Sequence, residues 1–571
     1  MQAARSVALV TIGILLAGCA ANTPASGQQT DGAREPVASA PQRTLVIIGR
    51  GEPPNIAAKS VVTYSGSLGQ VRRVFNATLD YLDERETPIP YLAEAVPSLN
   101  TETWRVFPDG RMETTYRLRP NLVWHDGQPL TSEDFVFGAR VFMTQEFGAA
   151  SSPVLAPMAE VAAPDERTVV IHWKRPYADA ASLDVEFQAL PRHILEQPFQ
   201  QLDPQTFSAL PFWTGEYVGL GPYRIERWEP GAFIEGVAFE RHALGRPKIE
   251  RMRLIFVGDP NTAVANVLSG EAHYISESIL YAEEGATLEQ QWGPTNGGTV
   301  LYSPVTFRAT RIQSRPDAVG PRALLDVRVR RALAHSMDSQ TTLEVVLGGR
   351  GLLMVCLTPP TKDFYPLVDR AIAKYPYDAG SVGQLLEDAG MVKGPDRFYV
   401  QANGEPFRVE VAADGGAVFE RENTILVDSM RRTGIDAIQK IIPVAQINDN
   451  QARALLPGLS TGGLSVPRFD KFSVAAIAGP ENRWAGTNRS GWNNADYDRL
   501  WQSYGGTLDA AERVQQVVQM EKIFTEEVPA IPHFFSPAAT AYVAALEGPV
   551  AAQTPDAGRG VHRVWDWRWR S

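Results

Sequence analysis

Residues 458–462 read Gly-Leu-Ser-Thr-Gly, matching the G-x-S-x-G pattern that exposes a nucleophilic serine, here Ser460. That chemistry needs a strand feeding a sharp turn that opens into a helix. Pro457 before the run, Gly463 after it and Pro467 beyond it predict a glycine-rich surface loop instead. The eight histidines are scattered, and none forms a close pair able to share a metal from one helix face, so no metal ligand set is expected. There is no G-x-x-x-x-G-K-S/T phosphate loop. Gly219-Leu220-Gly221-Pro222 lacks the third glycine of a dinucleotide fingerprint, and Pro222 blocks the helix start that would hold a pyrophosphate, so no cofactor is expected. Carboxylates are plentiful, but a glycosidase pair is defined by separation in space and leaves no sequence mark. Cys19 and Cys356 are the only cysteines, too few for a disulfide framework or a thiolate zinc site. Cys356, inside Leu353-Met354-Val355-Cys356-Leu357, reads as a buried structural thiol.

The elements that would position such residues follow from composition and pattern. The chain has 571 residues, 44% hydrophobic and 21% charged, which is globular and too long for one small domain. A net charge of −11 repels phosphate backbones, so nucleic acid is excluded as a partner. Val7–Ala17 is an apolar run after one cation, Arg5. It is shorter than the ~20 residues of a spanning helix and suits a signal peptide over residues 1–18. Leu16-Ala17-Gly18-Cys19 resembles a bacterial lipobox, which implies cleavage before Cys19 and lipidation of its sulfur. Residues 19–43 are rich in Ala, Pro, Ser, Gln and Gly and read as a flexible tether.

The body opens on a strand at Thr44–Ile48, closed by Gly49-Arg50-Gly51 and Pro53-Pro54, with the continuous apolar run of a strand covered on both faces. Helix starts are legible at Thr131-Ser132-Glu133-Asp134, at Asp259-Pro260, at Asp326 and at Asp509-Ala510-Ala511-Glu512. Arg328, Arg330 and Arg331 are expected to point away from the apolar stripe of the third helix. Val564–Trp569 alternates aromatic and charged residues, which predicts a final half-buried strand pairing back onto the body. Strands and helices mixed without a fixed period predict an α/β body.

The segment Leu118–Phe135, with His125-Asp126-Gly127-Gln128-Pro129-Leu130-Thr131 at its centre, resembles the signature region of the family 5 extracellular solute-binding proteins, the peptide and nickel receptors of ABC importers. Other blocks agree in order: Pro53-Pro54 after the first strand, Leu92-Ala93-Glu94 with Asp109-Gly110, Gly219–Tyr223 with Trp228 and Pro230-Gly231, Asp326–Leu333 with Asp338 and Gly348-Gly349, and Tyr377-Asp378 through Gly390. The resemblance covers nearly everything after residue 43. It implies a two-lobed type II periplasmic-binding-protein fold with mixed sheets, two crossovers and an extra subdomain in the first lobe. Lobe I would be 44–295 plus 530–571 with a subdomain at 86–194, and lobe II 296–529. The His125-Asp126-Gly127 turn is expected to be structural.

The same resemblance implies a non-catalytic receptor that binds a peptide or another small polar solute between its lobes and delivers it to permease subunits. It would be a monomer, in the periplasm or at the cell surface, held to the membrane through Cys19. Peptide-binding members carry an acidic residue in a "WG.D" stretch that reads a free amino terminus. In the run Phe469–Glu481, Ala476 stands where tryptophan is usual and Gly479 where the aspartate is usual, leaving Glu481 as the nearest acid. Arg308, after Phe307, replaces a common asparagine; it either faces the cleft, where it could hold a carboxylate or phosphate, or is a surface strand residue. Asn55, Tyr64, Trp213, Arg483, Trp484 and Asn488 complete the expected ligand-binding set. Two alternatives stand beside this reading: a receptor repurposed as a sensor or outer-membrane lipoprotein, consistent with Ala20 after Cys19, and an exported hydrolase using Ser460 or a carboxylate pair.

Overall fold

The computed structural model describes residues 43–59, 71–144, 154–443, 446, 449–464, 469–482, 484–551 and 559–571. Expectations for the signal peptide, the lipid-bearing Cys19, the tether up to residue 42, Tyr64 and Arg483 lie outside these residues.

One eleven-stranded mixed sheet organises the body. Its strands are β1 (Leu45–Gly49), β2 (Tyr223–Glu229), β3 (Phe233–Ala238), β4 (Arg251–Phe256), β5 (Tyr274–Leu280), β6 (Gly298–Ile312), β7 (Leu352–Leu353), β8 (Arg408–Asp414), β9 (Asp436–Ile442), β10 (Leu459–Leu464) and β11 (Ala530–Val543). They lie in the order β9-β8-β10-β6-β11-β5-β1-β4-β3-β2, with β7 on β11. β1 is parallel to both neighbours, and Leu45, Ile47 and Ile48 are fully buried, as its unbroken apolar run requires.

β6 and β11 are the longest strands and pair antiparallel along almost their whole length. They pass between separate cores. Ala539 and Ala541 of β11 pack with Ile48, Val264 and Leu288, whereas Phe307 of β6 and Phe535 of β11 pack with Phe472, Tyr497 and Phe524. A larger core joins β1–β5 to Trp565 and Trp567, and a fourth lies under Leu333, Val409, Leu426 and Leu459. At the change from one side to the other, Pro304 faces Pro537 and the register slips before Thr306 pairs with Ser536. Neither proline has an N–H to give, so neither donates to the ladder at this point. A separate four-stranded antiparallel sheet, Trp104–Val106, Met112–Arg117, Thr168–Trp173 and Met158–Asp165, lies within the segment expected as a subdomain.

The helix starts fall where local chemistry puts them. Asp259 accepts the Thr262 N–H (2.7 Å) ahead of Pro260–Ser269, which ends on Gly270 in the left-handed region, φ 81°. Asp326 and Asp509 cap Val327–Ser336 and Ala510–Glu527 through the Arg328 and Glu512 N–H groups. Thr131 donates its N–H to Asp134 (2.9 Å) at the start of Ser132–Phe142. His125 is a staple: Gly219 N–H donates to its Nδ1 (3.2 Å) and its Nε2 meets the Gly221 carbonyl (3.0 Å).

Three local expectations are corrected. Residues 459–464 form the interior strand β10, not a surface loop, with Ser460 opposite Arg311. Its glycines serve packing, since a Cβ on Gly458 would meet the Glu410 carbonyl at 2.3 Å. Val564–Asp566 is a 3-10 turn, and the terminal strand is only Arg568–Trp569 on Leu546–Glu547. Trp565 and Trp567 are both buried, so they plug the lobe I core and do not alternate across a sheet. Arg330 is buried, because its guanidinium caps the Glu527 carbonyl (2.7 Å) and those of Leu324 and Leu325.

Candidate functional site

A cavity of about 810 Å³ opens beside the Pro304/Pro537 crossing. One wall is helix Ala282–Trp292, which follows β5 directly. The facing wall is the start of helix Ala417–Arg432 with the turn Gly348–Arg350, and Thr306, Arg308 and Ser536 of the crossing strands form its floor.

Arg308 lies on this floor and is already engaged. Its Nε donates to Glu422 Oε1 (3.1 Å) and its Nη2 to Glu422 Oε2, a two-pronged pair with a residue on the helix opposite. Arg308 is 7% exposed and Glu422 1%. The Phe419 ring lies 4.8 Å from the guanidinium and covers the pair. Arg50 and Arg421 stand exposed at the rim with Glu283; Glu284 instead caps its own helix by accepting the Tyr281 N–H (3.0 Å).

Behind Arg308, His533 is fully buried between two hydroxyls, Thr310 Oγ1 on Nε2 (2.7 Å) and Ser339 Oγ on Nδ1 (2.7 Å). Burial and the nearby Arg308 charge push its pKa down to about 3, so it stays neutral and is a poor base for the serine beside it. Ser460 bonds no histidine among the described residues. Cys356 is buried and unpaired, and burial pushes its thiol well above the ordinary range, which suits packing and not nucleophilic attack.

Of the other expected ligand contacts, none that is described lines this cavity. Trp213 is buried in the lobe I core against Phe207 and Phe212, with Nε1 donating to the Phe207 carbonyl (2.8 Å). Asn55 is buried on the same side. Asn488 spends its amide on structure, donating to the Phe472, Ser473 and Trp492 carbonyls and accepting from Gly491. Glu481 is exposed on a short 3-10 turn, and Trp484 closes that turn by donating its N–H to the Gly479 carbonyl (2.8 Å). Sequence reasoning missed Glu422, Phe419, Arg350 and the helix after β5, which no local motif marks.

Three ion pairs join segments far apart in the sequence: Lys362–Glu86 (2.7 Å), Arg513–Asp179 (3.0 Å) and Arg350–Glu289 (3.0 Å), the last through Arg350 of the cavity wall. All are partly exposed, and such pairs contribute about 0.2–1 kcal/mol each. Removing two of them, as Lys362→Ala/Arg513→Ala, is expected to shift the closed-to-open ratio about 2- to 30-fold toward open. X-ray scattering would register this as a larger radius of gyration, and an unchanged radius would show that the pairs do not hold the lobes.

A family model described as bacterial extracellular solute-binding proteins, family 5 middle, matches residues 94–471. A Brucella ovis protein described as an ABC transporter peptide-binding protein is 26% identical over 294 residues, 51% of this chain and 51% of its own. The chain thus aligns with about half the length of that relative. The oligopeptide-binding protein AppA of Bacillus subtilis is 21% identical over 532 residues, 91% of each chain. Among solved structures, NikZ from Campylobacter jejuni in complex with Ni(L-His) superposes with a TM-score of 0.71 at 20% identity, over 92% of this chain and 100% of that one. CtaP from Listeria monocytogenes gives 0.74 at 16% identity, over 92% and 99%. These likenesses establish the type II periplasmic-binding-protein fold.

Proposed function

The chain belongs to the bacterial extracellular solute-binding proteins of family 5, and from that premise we propose that it is the extracytoplasmic receptor of an ABC importer, closing two lobes over a small solute and presenting it to the permease. The observation that carries this reading is the cavity of about 810 Å³ at the Pro304/Pro537 crossing, walled by both lobes. Its volume falls in the range of small-molecule sites, about 300–1,000 Å³. The bending point and the binding point coincide, so solute contacts made on both walls are gained only on closure, and ligand shifts the open–closed equilibrium by its differential affinity. The site works by capture: Arg308 and Glu422 neutralise each other, and His533 is held neutral behind them. On this reading residues 1–18 are the export signal, Cys19 the lipid anchor and residues 19–43 the tether that leaves a monomeric receptor free to reach its permease at the membrane surface. The solute is a peptide or another small polar molecule.

Native mass spectrometry of the protein as expressed should show a co-purified solute in the few-hundred-dalton range. Returning that solute at 100 times its Kd should add about 2.7 kcal/mol of stability and raise the melting temperature. Turnover of an ester or glycoside that disappears in Ser460→Ala would instead establish the hydrolase.

A further inference from the structure

The cavity beside the Pro304/Pro537 crossing is lined by charged side chains, and most of them are spent on the protein itself. Arg308 is paired with Glu422 on the floor, and Arg350 with Glu289 (3.0 Å) at the turn. Glu284 caps its own helix by accepting the Tyr281 N–H (3.0 Å). What is left stands at the rim. Arg50, Arg421 and Glu283 are exposed lining residues whose side chains make no ion pair among the described residues.

Apolar side chains show the reverse pattern. Tyr281 is 56% exposed, Val418 42% and Phe419 36%, and all three line this cavity. They stand on facing walls: Tyr281 precedes helix Ala282–Trp292, whereas Val418 and Phe419 open helix Ala417–Arg432. The Phe419 ring lies 4.8 Å from the Arg308 guanidinium, so the ion pair is covered and what the ring leaves exposed is apolar. Tyr281 stacks on no other aromatic ring among the described residues. Leu347 and Phe534 add to the same lining. Scattered singly, exposed apolar side chains carry no message, but three that share one concave site mark a surface that a ligand covers.

We infer that the solute is amphipathic: a flat apolar body, aromatic in the simplest case, held between Tyr281 and Phe419, and one carboxylate directed to the rim, where Arg50 and Arg421 stand. This rests on the receptor reading above and names the chemistry of its ligand. The body is apolar because the floor has no free charge to offer a polar one, Arg308 and Glu422 having satisfied each other. The end group is anionic because two free arginines at the rim outnumber one free glutamate, and planar guanidiniums favour two-pronged binding of a carboxylate. An aromatic body adds ring–ring contact to the area it buries.

Calorimetric titration of the full chain tests this with matched probes: hippurate and indole-3-acetate as aromatic anions, N-acetylglycine as an anion without the ring, hippuramide as a ring without the charge, and trialanine as a polar peptide. At least one aromatic anion should bind about tenfold or more tightly than N-acetylglycine and hippuramide, and its binding heat should become more exothermic on warming, the mark of apolar burial. Tyr281→Ala should weaken that anion about tenfold or more while melting like the wild type, because the side chain is largely exposed. Arg421→Gln should weaken the aromatic anion and leave hippuramide unchanged. Equal affinity for N-acetylglycine, or a Tyr281→Ala chain that binds the aromatic anion as the wild type does, overturns the assignment. Tighter binding of trialanine than of either aromatic anion also overturns it, as does a co-purified solute identified as a sugar or another ring-free polar compound, and both results leave the receptor standing. If none of the probes binds, the aromatic anion falls, and the co-purified solute alone then decides whether the chain is a receptor.

Discussion

Glu422→Ala is expected to destabilise the protein by about 3–5 kcal/mol, the cost of leaving a buried cation without its partner. Glu422 is almost wholly enclosed, and both its oxygens are used by Arg308 under the Phe419 ring. Truncation leaves the buried Arg308 guanidinium without an ion-pair partner among the described residues. Replacing both members, as Arg308→Met/Glu422→Leu, should recover most of the loss, because a buried pair exchanged for apolar groups of similar size is often neutral or stabilising. The exposed Arg350–Glu289 pair at the same cavity provides the contrast: Arg350→Ala should cost less than about 1 kcal/mol. Urea unfolding of the four chains measures these differences. A Glu422→Ala loss below about 1 kcal/mol, or a double variant no better than the single, would mean that the pair is hydrated and that the cavity floor is more open than its geometry indicates.

How far the sequence carries depends on the range of the interaction. Asp259-Pro260, Asp326, Asp509 and Thr131 mark their helices because a cap is a contact over two or three residues. Gly458–Gly463 misleads for the opposite reason. Its glycines look like loop punctuation, but they answer a carbonyl on β8 and two arginines on β6, all distant in sequence. The tryptophans near the C-terminus alternate like a strand, yet they are the plug of a core more than 300 residues away. The cavity is harder still, since it is assembled from residues near 283, 306, 350, 419 and 536, and no window contains two of its walls. Arg308 was legible as a departure from the family pattern, whereas Glu422, which decides what Arg308 can do, was not. The run Phe469–Glu481, read for an amino-terminus acid, turns out to be 3-10 turns away from the strand.

Stability should peak near pH 6.5 and fall on both sides, because two sets of buried groups oppose each other. His125, His242 and His273 are pushed down to about 4 and His533 to about 3, in each case chiefly by burial. Their bonds need the neutral ring: Val46 N–H donates to His273 Nδ1 (2.9 Å), and Tyr91 Oη meets His242 Nε2 (2.8 Å). Asp80 and Glu521 are fully buried and pushed up to about 7, mainly by that burial, although Glu521 accepts the Leu357 and Thr358 N–H groups. In the unfolded chain the histidines titrate near 6.5 and the carboxyls near 4. Between about pH 4.5 and 6.5 the unfolded chain holds four protons on these histidines that the folded one lacks, and the folded chain holds two on the carboxyls. The unfolded state therefore binds two protons more, and stability drops by about 2.7 kcal/mol per pH unit on acidification, about 5 kcal/mol over two units. Above pH 6.5 only the carboxyl difference survives, so stability falls as pH rises and levels off past about 7. Glu521→Gln removes one carboxyl from this balance; its acid limb should be about one and a half times as steep and its alkaline decline about half as large. Urea unfolding from pH 4.5 to 8.5 measures both limbs, and a profile that rises steadily to pH 8.5 would show that Asp80 and Glu521 are ionised in the folded protein.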